Sequence, residues 1–225
     1  MATILEKVQG VKARIARAAR AAGRDPESVT LLAVSKTHPA ARIAEAQAAG
    51  LRAFGENYVQ EALPKMRSLP GLEWHLIGAL QSNKSRLAAE RFDWVQTVDR
   101  VRIANRLSEQ RPVHLPPLNV LIEVNISGEP AKSGVAVKEV TELANAVASL
   151  PRLRLRGLMA IPAPGGAGDF AKMKQLYEKL RTQFGFDTLS MGMSDDMDEA
   201  IAAGATMVRI GTAIFGARTT EETAA

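Results

Sequence analysis

The sequence predicts an α/β fold, a single (β/α)8 TIM-type barrel with an additional N-terminal helix. Eight short apolar segments alternate with amphipathic segments along the 225 residues, a pattern typical of βαβ units. Segments such as TLLAV and LNVLIEV are almost continuously apolar, as expected for parallel strands covered by helices on both faces. Such a barrel takes about 250 residues and would use nearly the whole chain. An open, doubly wound sheet is the alternative.

The predicted elements follow one another in a regular order. A first helix is indicated by Ile4, Val8, Val11 and Ile15, which recur at helical spacing, and it ends near Gly23. Strands are predicted from short apolar runs at 29–36, 51–57, 73–80, 94–99, 118–126, 153–161, 186–193 and 207–215. Helices are predicted from amphipathic spacing at 40–49, 58–68, 83–91, 100–110, 137–150, 169–184 and 196–203. We expect one domain over residues 1–225, with a flexible tail at 218–225.

Composition and charge argue against several classes of protein. The formal charge is +5, from 29 basic and 24 acidic residues, and only 4% of residues are aromatic, so a nucleic-acid partner is not expected. The chain has no cysteine, and its three histidines do not pair at helical metal-ligand spacing, so no metal is expected. The sequence has neither the apolar core of a signal peptide nor an apolar run of about 18 residues. We therefore expect a cytoplasmic protein that makes no membrane contact.

Lys36 is the first candidate for chemistry. Functional groups of a (β/α)8 barrel gather at the carboxyl ends of its strands, and Lys36 ends the first predicted strand. Partial desolvation at the mouth of an apolar barrel lowers the pKa of a lysine and makes a neutral, nucleophilic amine accessible. The alternative is a lysine whose ammonium simply reaches solvent.

A second candidate is an anion site formed by the ends of the last two strands. Ser194 is predicted to be the N-cap of the helix after the seventh strand, so that backbone N–H groups face the mouth. Gly211 and Thr212 offer a close approach and a hydroxyl at the eighth strand, where phosphate sites recur in barrels. Asp195 and Asp196 bring negative charge close by, and we expect both carboxylates to point away. A capped helix beside an ordinary glycine turn is the alternative.

Arg209 lies inside the eighth predicted strand, where a guanidinium that faces the barrel needs an acceptor. The sequence leaves open whether this acceptor is an atom of a ligand or the carboxylate of Glu123. His75 is predicted to be a hydrogen-bonded core residue. Turn capping and ligand contact both stay open for two asparagines, Asn57 and Asn125. Two lysines are predicted to be solvated in loops, Lys84 and Lys132.

Taken together, the motifs resemble the pyridoxal phosphate homeostasis protein family, relatives of the barrel domain of alanine racemase. The resemblance extends from about Leu31 to Gly216, and its motifs occur in the expected order. The matching stretches are LLAVSKTHP, FGENYVQE, WHLIGALQSNK, VNISGEPAKSG, GLMAIP, LSMGMSDDMDEAI and RIGTAIFG. One small departure is Ala79, where proline is more usual in the family, and it does not affect the implied cofactor site.

The resemblance implies that the chain binds pyridoxal 5′-phosphate (PLP). It implies that Lys36 forms a Schiff base with the cofactor, that Arg209 faces the pyridine nitrogen and that Asn57 lies beside the ring. It further implies that the phosphate is surrounded by Met193, Ser194, Gly211 and Thr212. An arginine holds its proton so firmly that the pyridine would stay unprotonated and would be a weak electron sink.

These expectations favour a carrier over an enzyme. Alanine racemases add a second domain after the barrel, and only residues 217–225 follow RIGTAIFG here, so we expect an open site acting in intracellular PLP homeostasis. PLP-dependent apo-enzymes are possible recipients, and a monomer is expected. Two alternatives stay open, a PLP-dependent amino-acid racemase or lyase of low activity, and a cofactor-free Schiff-base aldolase acting on a sugar phosphate.

Overall fold

The computed structural model describes residues 2–163 and 167–216, and the predicted tail at 218–225 lies outside these ranges. The described chain contains nine parallel strands. They are β1 (Thr30–Val34), β2 (Ala53–Glu56), β3 (Glu73–Leu76), β4 (Trp94–Val98), β5 (Leu118–Asn125), β6 (Val135–Ala136), β7 (Leu153–Met159), β8 (Thr188–Ser190) and β9 (Met207–Ile210).

Eight of these strands close into a barrel. The neighbours follow the order β4-β3-β2-β1-β9-β8-β7-β5, and pairing of β4 with β5 joins the two ends. The two-residue strand β6 pairs in parallel with the end of β5. The predicted barrel is therefore confirmed. The alternative of an open sheet is wrong, because β4 and β5, which would be its edge strands, pair with each other.

Helices surround the barrel, as the amphipathic segments predict. They are α1 (Ile4–Ala21), α2 (Ala40–Ala48), α3 (Val59–Ser68), α4 (Ser85–Arg91), α5 (Val101–Gln110), α6 (Val140–Ala148), α7 (Ala167–Phe184), α8 (Met197–Ala202) and α9 (Thr212–Phe215). In the described ranges, no helix is long and apolar enough to cross a membrane. Those ranges also contain no group of three or more histidine, cysteine or acidic residues that could hold a metal ion.

The additional N-terminal helix is present and well defined. Thr3 and Glu6 form a capping box, in which each side chain accepts from the backbone N–H of the other residue. The buried face of α1 contains Ile4, Val8 and Val11, and the helix packs mainly against α8, α9 and α2. The helix thus covers the side of the barrel where the last strands meet the first.

The largest difference from the prediction is at the eighth predicted strand. The expected strand 207–215 is the four-residue strand β9 followed by the short helix α9. Gly211 separates the two and has φ −111° and ψ −75°, which ends the extended conformation. Apolar residues continue through α9, where Ile214 and Phe215 are buried, so the apolar pattern alone did not mark the end of the strand.

Candidate functional site

The carboxyl ends of β1 and β9 bring three of the predicted site residues together. Lys36 follows β1 and is half-buried. In the neighbouring strand, Ile210 pairs with Ala33, so Gly211 and Thr212 emerge beside the Lys36 loop. A Cβ atom on Gly211 would lie 3.3 Å from the carbonyl oxygen of Val34. The loop after β9 is therefore pressed directly against the strand that carries the lysine.

Two further contacts join the Lys36 loop to α9. The ring of His38 stacks on Phe215, with centroids 4.9 Å apart. Arg42 donates a hydrogen bond from NH2 to the carbonyl oxygen of Phe215 at 3.3 Å. These contacts come from residues after Lys36, whereas Gly211 contacts Val34 before it, so the segment 211–215 packs against the chain on both sides of the lysine. The two loops form one surface.

The loop after β8 differs from the predicted helix start. The N-cap of α8 is Asp196, so the prediction of Ser194 as N-cap is wrong. The carbonyl oxygen of Ser194 instead accepts from Arg14 NH1 of α1 at 2.7 Å. Asp196 accepts from the backbone N–H of Met193 at 2.6 Å, so its carboxylate turns back onto the loop, contrary to prediction. Gly192 precedes them with φ 94°, and a Cβ there would come within 2.5 Å of Ala200 Cβ.

Arg209 connects this loop to the interior of the barrel. Its backbone N–H donates to the carbonyl oxygen of Gly192 at 3.0 Å. Its side chain is 4% exposed and donates to the hydroxyl of Ser190 at 2.8 Å and to the carbonyl oxygen of Ala160 at 2.9 Å. Burial lowers the pKa of Arg209 to about 10, so the guanidinium is still a cation at neutral pH.

Glu123 is close enough to Arg209 to affect its titration but does not form the ion pair considered above. Within the described ranges, the side-chain hydrogen bonds of Arg209 go to Ser190 and Ala160 and not to a carboxylate. Glu123 is 7% exposed. Burial, reinforced by the charge of Asp99, raises the pKa of Glu123 to about 7, against the opposing attraction of Arg209. Glu123 is therefore a carboxyl group near the end of β5 whose pKa is close to neutral pH.

A chain of hydrogen bonds continues from Arg209 through the barrel. The Ser190 hydroxyl donates to Gln96 Oε1 at 2.7 Å, and Gln96 Nε2 donates to His75 Nδ1 at 2.9 Å. The other ring nitrogen of His75 therefore bears the proton and donates to Glu73 Oε1 at 2.8 Å. His75 is fully buried and stacks on Trp94, and burial lowers its pKa. The prediction of a hydrogen-bonded core histidine is confirmed.

The remaining predicted residues have mixed outcomes. Asn125 caps a turn, donating to the carbonyl oxygens of Glu129 at 2.8 Å and Lys132 at 3.3 Å. Lys132 is not a solvated loop lysine, because its Nζ is buried and lies 3.1 Å from Glu129. Asn57 follows β2, which pairs with β1, and is partly buried near Lys36.

Three charged residues beneath the Lys36 loop were missed by the sequence reasoning. Lys65 is 7% exposed and Glu56 is fully buried, and they are joined at 2.9 Å. Glu61 lies 2.7 Å from the same ammonium. The only signal in the sequence was the spacing of Glu61 and Lys65, four residues apart on one helix, which is typical of a surface pair.

The closed parallel barrel, with Lys36 at the end of its first strand, places the chain in the class of the alanine racemase N-terminal domain. The family model described as alanine racemase, N-terminal domain, matches residues 7–219. Within that class, the chain belongs to the pyridoxal phosphate homeostasis protein family. The pyridoxal phosphate homeostasis protein of Escherichia coli K12 is 60% identical over 229 residues, covering 97% of this chain and 98% of the relative. The protein of the same name from Pseudomonas aeruginosa PAO1 is also 60% identical, covering 97% of each chain.

Solved structures agree with this assignment. PipY of Synechococcus elongatus, solved without PLP, is 39% identical and superimposes with a TM-score of 0.84 over 95% of this chain and 100% of PipY. PipY solved with PLP bound has a TM-score of 0.76 over 90% of this chain and 100% of PipY. Alanine racemase from Corynebacterium glutamicum is 18% identical, with a TM-score of 0.71 over 95% of this chain and 62% of the racemase. That last likeness shows the shared fold alone.

Proposed function

We propose that this protein binds PLP reversibly through a Schiff base on Lys36 and acts in intracellular PLP homeostasis. The observation that carries the proposal is the position of Lys36, half-buried at the carboxyl end of β1, between the loops after β2 and β9. PipY, which has been solved with PLP bound, shares 39% of its residues with this chain over nearly the whole barrel.

The residues at the mouth fit the cofactor. Gly211 packs directly against Val34 with no room for a side chain, which brings the start of α9 close to the Lys36 loop. α9 begins at Thr212, where backbone N–H groups have no partner within the helix. We propose that Ser194 and Thr212 contribute hydroxyl groups to the phosphate and that Asn57 lies beside the ring. Met193 is also assigned to the phosphate, although its N–H donates to Asp196 and becomes available only when that carboxylate turns away.

PLP supplies an aldehyde that condenses with an amine and releases one water molecule. Lys36 Nζ is the nucleophile in this proposal and must be neutral when it attacks the aldehyde carbon. Arg209 is assigned to the pyridine nitrogen. Because its guanidinium remains charged at neutral pH and is a hydrogen-bond donor only, it would hold that nitrogen unprotonated and keep the ring a weak electron sink.

A ring that is a weak electron sink supports the proposal that the protein is a PLP carrier without enzymatic activity. We further propose that the protein works as a cytoplasmic monomer and exchanges PLP with PLP-dependent apo-enzymes. The curated relatives bear the name of homeostasis proteins, which agrees with this role. The proposal includes no nucleic-acid partner, metal or membrane contact.

One observation favours the second candidate, a PLP-dependent racemase or lyase of low activity. Glu123 lies near the carboxyl end of β5, and burial raises its pKa to about 7, the value that suits a general acid or base at neutral pH. Exchange of the α-proton of an amino acid in deuterated buffer would support this candidate. Such exchange should then fall in Glu123→Gln, whereas its absence in the PLP-loaded wild type supports the carrier.

The proposal is tested at Lys36 itself. Borohydride reduction of the PLP-loaded protein, followed by peptide mapping, should place the pyridoxyl group on Lys36. Lys36→Ala should remain folded and lose the Schiff-base absorbance, whereas the control Lys84→Ala, in the loop after β3, should retain it. A Lys36→Ala protein that kept the absorbance and the reduced adduct would show that the assignment is wrong.

A further inference from the structure

A cluster of three charged residues, of which Glu56 and Lys65 are buried and Glu61 is partly exposed, contacts the turn that carries Lys36. The ammonium of Lys65 contacts both carboxylate oxygens of Glu56, at 2.9 and 3.0 Å, and Glu61 Oε1 at 2.7 Å. Glu56 is fully buried and Lys65 is 7% exposed. Because apolar residues of similar size often replace buried ion pairs without loss of stability, stabilisation alone gives no reason for this cluster at this place.

The cluster binds the backbone on both sides of Lys36. Before it, the carbonyl oxygen of Ser35 accepts from Lys65 Nζ at 3.1 Å, and the Ser35 hydroxyl donates to Glu56. After it, the N–H of Thr37 donates to Glu61 Oε1. The lysine is therefore the central residue of a turn whose two flanking peptide groups are both attached to the cluster.

The residue after Lys36 has a backbone conformation that it would not adopt without support. Thr37 has φ 68° and is the one non-glycine residue with positive φ in the described ranges. The left-handed region is costly for a β-branched residue. Two hydrogen bonds support this conformation: the His38 N–H donates to the Ser35 carbonyl oxygen at 3.1 Å and closes the turn, and the Thr37 N–H donates to Glu61 Oε1.

We propose that Lys65 and Glu61 are positioning residues, which hold the 35–37 turn in the strained conformation that presents Lys36 Nζ to the aldehyde of PLP. Lys65 acts on the turn directly, through Ser35, and also indirectly, by fixing the carboxylate of Glu61. This inference rests on the proposed function, since it assigns a role in forming the same covalent bond.

The test measures the rate of Schiff-base absorbance after PLP is mixed with each variant. Glu61→Ala removes the acceptor of the Thr37 N–H and should slow formation of the Schiff base about tenfold, because the left-handed conformation of Thr37 is then less populated. Glu61→Gln keeps an amide oxygen as acceptor and should stay within about twofold of wild type. Thr37→Asn, which tolerates positive φ, should recover most of the rate when combined with Glu61→Ala. A purely structural role for Glu61 would not give this recovery.

Lys65 is tested by a paired change, because Lys65→Met alone would leave Glu56 buried and uncompensated. The double variant Lys65→Met/Glu56→Gln removes both charges and should also slow bond formation, whereas the control Lys179→Met, at an exposed position of α7, should not. The free energy of unfolding without PLP, from urea titration, confirms that each variant is folded.

The outcomes separate this inference from the proposed function. If the wild type forms no Schiff base, both are wrong. If the wild type forms it and folded Glu61→Ala forms it equally fast, or if Thr37→Asn fails to restore the rate, only the positioning role is wrong.

Discussion

Arg209 donates a hydrogen bond to the hydroxyl of Ser190 at 2.8 Å, and neither residue is more than 4% exposed. The Ser190 hydroxyl in turn donates a hydrogen bond to Gln96 Oε1, so a single serine satisfies one guanidinium N–H and one amide oxygen. The chain then reaches Glu73 by way of His75, at the amino-terminal end of the barrel. The orientation of the arginine at the mouth is thereby connected to groups on the opposite side of the molecule.

We expect Ser190→Ala to weaken both folding and PLP binding. The substitution leaves an Arg209 N–H and Gln96 Oε1 without their partner in a buried site, which should lower the free energy of unfolding by about 1–3 kcal/mol. Urea unfolding and PLP titration measure the two effects. The control is Ser149→Ala, at the exposed end of α6, which should change stability by no more than about 0.5 kcal/mol. Equal effects in the two variants would contradict the importance of the Ser190 contact.

Glu123→Gln should stabilise the protein at alkaline pH. The pKa of Glu123 is raised to about 7 by burial, so the folded state binds a proton that the unfolded state releases above its ordinary pKa of about 4.3. Stability from this group is complete below pH 4 and is lost as pH rises through 7. The variant should therefore gain up to about 3 kcal/mol over wild type at pH 8 and nothing at pH 4. Urea titrations at the two pH values test this, and a gain that is the same at both would contradict it.

Asp196→Ala should tighten the binding of PLP and of inorganic phosphate. The carboxylate occupies the Met193 N–H and brings a negative charge to the loop, so its removal frees one donor and reduces repulsion. The gain should shrink at high salt, because screening weakens the repulsion. Asp195→Ala is the matched control, since Asp195 is exposed. Titration at two ionic strengths measures the effect, and weaker phosphate binding in Asp196→Ala would indicate that the carboxylate orders the loop instead.

Gly157→Ala should prevent β7 and β8 from pairing in their present register. Gly157 pairs with Thr188 and has φ 152°, and a Cβ there would lie 1.9 Å from the Thr188 carbonyl oxygen. We expect a loss of more than about 3 kcal/mol, beyond the ordinary effect of a single substitution. Gly168→Ala is the control, because nothing lies within 4 Å of its added Cβ, and alanine favours the helix by about 0.5–1 kcal/mol. Similar unfolding free energies for the two variants would be the contradicting result.

The sequence predicted the barrel because parallel strands covered on both faces have continuous apolar runs, and all eight barrel strands were found in this way. Their carboxyl ends were predicted too far along the chain. Apolar residues continue past the last paired residue, as Ile161 does after β7 and Ile214 does after β9. A strand ends where its hydrogen bonds to the neighbouring strand end, and that point cannot be predicted from the sequence of the strand alone.

Candidate site residues were predictable where a charge interrupts an apolar run, as Lys36 and Arg209 do. The supporting residues were not. Ser190 and Gln96 are ordinary polar residues in sequence, and only the closed barrel turns both side chains into a space without water. Lys65 has the spacing of a surface ion pair with Glu61, and its burial depends on how α3 packs on the barrel.

Arg14 donates to the Ser194 carbonyl oxygen and also forms an ion pair with Asp198 at 2.9 Å. A helix that precedes the first β/α unit therefore anchors a loop encoded almost two hundred residues later. During synthesis, this anchor forms only after the loop that follows β8 has left the ribosome, so this part of the mouth is completed late. Loss of the Arg14 side chain would therefore release this loop without changing any residue of the candidate pocket.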